Sequence, residues 1–145
     1  MAVNGFIAIA DATLDQVERA EHQWRRHFNE LPAVTDDGTS QCGFARGLYE
    51  RSYESEFLLR QARDELASVL ESANGHIDET SGELRDAEDD DNVTEMHREN
   101  LRIAIKEARR MVVKLRQRIS SVNDSLTDAD RKRFPGMRRW TEPRG

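Results

Sequence analysis

A single cysteine, three prolines and nine aromatic residues are spread over 145 positions. With only Cys42, no internal disulfide can form, so the fold has no covalent staple, and a reducing interior such as the cytoplasm suits the chain best. Leu, Ile, Val and Phe together number 30, roughly 21% of the chain and close to the level below which chains stay unfolded, which excludes a large, deep core. No run approaches the roughly 18 to 20 apolar residues of a membrane span. The apolar opening stretch, residues 1–13, lacks the basic leader of a secretory signal and reads as an arm.

Sites for chemistry are equally scarce. No glycine loop is followed by Lys and Ser or Thr to cradle a phosphate, and Gly43 to Gly47 contains no lysine. A glycine-flanked serine elbow is missing. None of His22, His27, His76 and His97 has a glutamate three residues before it or a second histidine at helical spacing, which removes the di-iron and zinc-protease patterns. Cys42 has no adjacent cation to lower its pKa and reads as a passive thiol. The acidic residues around Asp86, Asp89 and Asp91 lack the glycine that bends a calcium loop, so they read as solvated charge. These features point away from an enzyme and call for no cofactor or metal.

Charge and helical periodicity are what the chain does have. Its 28 acidic and 22 basic residues give a net charge of −6, with a mean hydropathy of −0.82. Asp78 to Asp91 holds eight acids against Arg85 alone, whereas residues 131–145 hold six basic residues against one acid. The body is acidic, most of all in its middle, and the end is basic.

Three helices are predicted. Thr13-Leu14-Asp15-Gln16 offers a capping box, after which Leu14, Val17, Trp24, Phe28 and Leu31 form one stripe, with Glu21 filling a missing position. This first helix spans about 14–31 and ends at Pro32, and residues 32–43 form a loop. A second helix runs over 44–73 and stops at Asn74-Gly75, residue types suited to a left-handed cap. Its seam of Leu48, Ser52, Ser55, Leu59, Ala62, Leu66, Val69 and Ala73 alternates steps of four and three, the heptad pattern. Residues 76–92 form an acidic, solvated connection. Asn92 and Glu95 open a third helix over 93–126, with Leu101, Ile105, Ala108, Val112, Leu115, Ile119, Val122 and Leu126 in the same rhythm without a polar miss. A short C-terminal helix follows from Thr127 before Phe134-Pro135-Gly136.

The architecture is therefore an all-α, elongated three-helix bundle over residues 14–130, built on a coiled-coil-like antiparallel hairpin and followed by a basic tail, 131–145. The first helix is too short to cover the whole hairpin. Leu66, Val69 and Leu70, facing Met96, Leu101, Ile103 and Ile105, are left partly shielded, and each is worth about 1.5 to 3 kcal/mol when buried. A second copy or another helical protein would cover them. In the tail, Arg131, Lys132, Arg133, Arg138 and Arg139 alternate with Phe134 and Trp140, a composition common in protein docking segments. The same residues could grip nucleic acid, although the acidic body opposes long-range attraction to it. The expectation is a non-catalytic interaction protein, an adaptor, chaperone or structural subunit of a larger assembly. The competing expectation is a nucleic-acid accessory protein acting through the tail.

Overall fold

The computed structural model describes residues 3–31 and 43–133, with side chains for 5–31 and 47–130. Among these residues there are three helices and no strand: α1 (Val3–Asn29), α2 (Gly43–Glu88) and α3 (Glu95–Arg133). At 1.5 Å per residue they are about 40, 69 and 58 Å long. The chain is an all-α bundle in which α1 and α3 both run antiparallel to α2. Among the described residues no helix is long and apolar enough to cross a membrane.

The α3 seam behaves as the spacing requires. Leu101, Ile105, Ala108, Val112, Leu115, Val122 and Leu126 are buried and Ile119 is half-buried. Ala129 extends the row, and the helix continues without a break to Arg133, so the separate short helix expected from Thr127 is part of α3.

Two predicted boundaries are corrected. Helix α1 begins at Val3, not at Leu14, because its buried row already starts at Phe6 and continues through Ala10, Thr13 and Val17. Thr13 is not a cap. Its hydroxyl donates to the Ile9 carbonyl at 2.9 Å, one turn back inside the helix. Helix α2 runs through Asn74-Gly75 and through most of the segment expected to be a solvated connection, ending at Glu88. The reason is a column at seven-residue spacing, Ser52, Leu59, Leu66, Ala73, Thr80 and Ala87, every member of which is buried. The acids between these positions, Asp78, Glu79, Glu83 and Asp86, stay exposed. Burial of the column sets the conformation, and water screens the repulsion on the opposite face.

Both ends of α1 can be placed along α2. Phe6 stacks on His76 with ring centroids 5.9 Å apart, and His27 Nδ1 is hydrogen-bonded to the Ser55 hydroxyl. Ser55 itself donates to the Arg51 carbonyl at 2.9 Å, which leaves its oxygen to accept from His27. Helix α1 thus covers α2 from about Ser55 to His76, and past that level α2 and α3 continue as two helices. Trp24 is buried, stacks on Phe28 at 5.7 Å, and closes the other end of the core.

Glu21 occupies the gap in the α1 apolar stripe and is buried there. Arg118 of α3 meets it at 3.1 Å and Arg25 at 3.7 Å, so the buried charge is answered across the α1–α3 contact. Arg25 to Ser125 at 3.0 Å and Arg63 to Asn123 at 3.0 Å tie α1 and α2 respectively to α3.

Gly75 and Gly82 lie inside α2, and a Cβ at either position would meet nothing within 4 Å. Gly75→Ala and Gly82→Ala are each expected to raise stability by about 0.5 to 1 kcal/mol in urea unfolding, through the helix preference of alanine alone. A loss of stability at either site would contradict a continuous α2.

Candidate interaction surface

The hairpin end is built by Asp89–Thr94, the six residues between α2 and α3. The Asp90 carboxylate accepts from the Asn92 amide at 2.9 Å, and Thr94, in place of the expected Asn92, caps α3 by accepting from the His97 amide at 3.2 Å. Arg98 reaches back from α3. Its guanidinium donates to the Ala87 carbonyl and to the Asp90 carbonyl, both at 2.9 Å, and to Glu95 at 3.2 Å. Both carbonyls also accept a backbone amide of the turn, Ala87 from Asp90 at 3.4 Å and Asp90 from Val93 at 3.2 Å, and this one side chain adds a shorter bond to each.

One turn on, Arg102 gathers three carboxylates, Glu95 at 2.9 Å, Glu99 at 3.1 Å and Glu88 at 3.7 Å. The hydrogen bonds from Arg102 and then Arg98 hold the Glu95 carboxyl below the ordinary glutamate range. The group is fully exposed, so solvent screens the interaction and it acts locally at the turn.

The predicted partner-binding residues divide into three groups. Leu66, Leu101 and Ile105 belong to the chain's own buried interior, not to an open face. The expectation that they are only partly shielded is corrected: α1 starts eleven residues earlier than predicted and covers Leu66, while Leu101 and Ile105 pack in the α2–α3 seam with Thr80 and Ala87 buried on the facing helix. Val69 and Leu70 are half-buried and pack against the core. Met96, by contrast, is 75% exposed, and Ile103, seven residues on, is 46% exposed. Spacing of seven puts these two on one face of α3, at the hairpin end.

In the tail, Arg131, Lys132 and Arg133 form the last turn of α3. Phe134, Arg138, Arg139 and Trp140, with the rest of 134–145, lie outside the described residues, as does Cys42. His22 and His97 are exposed, and His76 is half-buried against Phe6. Among the described residues no cluster of His, Cys, Asp and Glu is arranged to hold a metal ion.

Tyr53 and Phe57 complete the surface description. Four residues apart on the outer side of α2, they are exposed, Phe57 by 60%. The chain matches no family model, no curated protein and no solved structure at a significant level.

Because the folded pKa of Glu95 lies below its unfolded value, the contribution of its pairs is complete above the ordinary glutamate range and is lost as pH falls through the folded value. Protection of the amides at 95–98, taken relative to their intrinsic exchange rate at each pH, is therefore expected to fall on acidification below that range by more than in Glu95→Gln, which lacks the titration. Equal acid sensitivity in parent and variant would contradict the assignment.

Proposed function

We propose that this chain is a non-catalytic, protein-binding helical subunit of a larger assembly, acting through the exposed surface of its coiled-coil-like hairpin and through the tail from Arg131 to Trp140. The observation that carries this reading is the exposed row of Met96 and Ile103 at the hairpin end. Each large apolar side chain of this kind is worth about 1.5 to 3 kcal/mol on burial, and a partner helix laid along α3 would bury both at once. Tyr53 and Phe57 on α2 offer a second apolar row of the type that anchors protein interfaces.

The occupant that requires least is a second copy of the chain, since the same face then buries itself. Adaptor and chaperone roles are forms of the same binding activity. The lone cysteine and the absence of a long apolar helix among the described residues agree with action inside a reducing compartment such as the cytoplasm.

Sedimentation equilibrium tests this reading. The parent is expected to form a dimer or higher species, and Met96→Asp with Ile103→Asp to weaken association by about tenfold or more while helicity is unchanged. Both positions are exposed, so the fold should tolerate the change. A parent that stays monomeric to roughly 100 µM would contradict self-association through this face.

A further inference from the structure

The clearest unused feature lies on α3. Between Arg102 and Arg118 the chain carries seven basic residues and one acid, within a body that is acidic in total. Four of these cations, Arg102, Lys106, Arg109 and Arg110, line one side of an open groove of about 580 Å³ between α2 and α3. Its apolar lining is Leu84 from α2 with Ile105 and Val113 from α3, and Val113 is 53% exposed. Val113 lies about 140° around α3 from Arg118, the residue that meets α1, so the groove opens on the flank of the hairpin that α1 leaves free.

The charges in this groove differ in their use. Arg102 is taken up by Glu88, Glu95 and Glu99. Among the described residues, Lys106, Arg109 and Arg110 are exposed and meet no carboxylate. Three unpaired cations beside an apolar strip repel one another, and carboxylates brought by an apolar-faced partner would relieve both features together.

The molecule already contains one solution to this problem. On the occupied flank, α1 lays Val17 and Trp24 against the core and places Glu21 between them on Arg118. We infer that the free groove binds an acidic amphipathic helix of another protein, apolar face on Leu84 and Val113, above the buried Ile105, and carboxylates on Lys106, Arg109 and Arg110. The inference rests on the protein-binding reading above but uses a different face from the Met96–Ile103 row. A phosphate polymer would satisfy the cations and leave the apolar strip of Leu84 and Val113 uncovered, whereas an apolar-faced acidic helix covers both.

The test is fluorescence anisotropy with the full chain and a labelled designed peptide of about 18 residues, five helical turns, with Leu on one face and Glu on its flanks. Two control probes are the same peptide with Lys for Glu and a single-stranded oligonucleotide. Saturable binding of the acidic peptide is expected, weakened about tenfold by Arg109→Glu and by Val113→Asp, and changed less than about twofold by Arg19→Glu, an exposed charge change of equal size on α1. Circular dichroism of the variants checks that the fold is intact.

Several results would overturn the inference: no binding of the acidic peptide, equal or tighter binding of either control probe, or equal weakening by Arg19→Glu. A parent whose self-association is abolished by Arg109→Glu would assign the groove to a second copy and overturn it as well. Dimerisation that depends on Met96 and Ile103, together with a groove that ignores the acidic peptide, would remove this inference and leave the wider reading in place.

Discussion

The whole molecule depends on one column of side chains in α2, Ser52, Leu59, Leu66, Ala73, Thr80 and Ala87, buried at every seventh residue. A chain with so few large apolar residues cannot build a globule around a deep centre, but it can bury a narrow seam along two long helices. The seam extends the hairpin beyond the reach of α1, and that excess length creates both the exposed end and the groove on the free flank. Small residues at Ser52, Ala73 and Ala87 contribute little transfer energy themselves, and they let the helices approach closely along the row. The large increments come from Leu59, Leu66, Leu115 and Leu126, all nearly inaccessible to water.

Charge then decides where this seam stops and what it offers outward. Arg98 braces the end of α2 by adding a bond to the Ala87 and Asp90 carbonyls beside the turn's own backbone bonds, so a side chain from the next helix helps to hold the turn. Arg118 lets a carboxylate occupy the middle of the α1 stripe, since Glu21 without it would be a buried charge with only the longer Arg25 contact. The same helix that supplies these two arginines carries Lys106, Arg109 and Arg110, which among the described residues meet no carboxylate. One basic helix therefore completes the fold on one flank and carries the groove proposed for recognition on the other.

Much of the fold was legible in the sequence, and the misreadings have physical causes. The α3 seam was plain because every position is apolar. In α2 the same rhythm was followed only to Ala73, since Asn74-Gly75 resembles a helix stop and the next column residue, Thr80, is polar. A buried threonine can hold its place in a seam when its neighbours at Ala73 and Ala87 keep the register, and a pattern read from hydropathy passes over it. Thr13 misled in the same way: a residue suited to a cap sits one turn inside α1, its hydroxyl bonded to the Ile9 carbonyl. Phe6 and Ala10, at steps of four and three before Thr13, were the signal that would have extended the helix. The candidate surface was less legible. Met96 and Ile103 could be read from spacing, but Leu66, Leu101 and Ile105 could be separated from them only by knowing where α1 begins. The groove cations went unseen because they alternate with the seam of α3, so they form no run along the chain and gather only when the helix winds.

Hydrogen exchange resolved along α2 tests the central claim most directly. If the buried column holds α2 as one helix to its end, amides at 76–86 exchange far more slowly than an unstructured segment of that composition, with protection falling only near Glu88. Exchange over those residues at the rate of an open chain, beside protected amides at 59–73, would contradict the account.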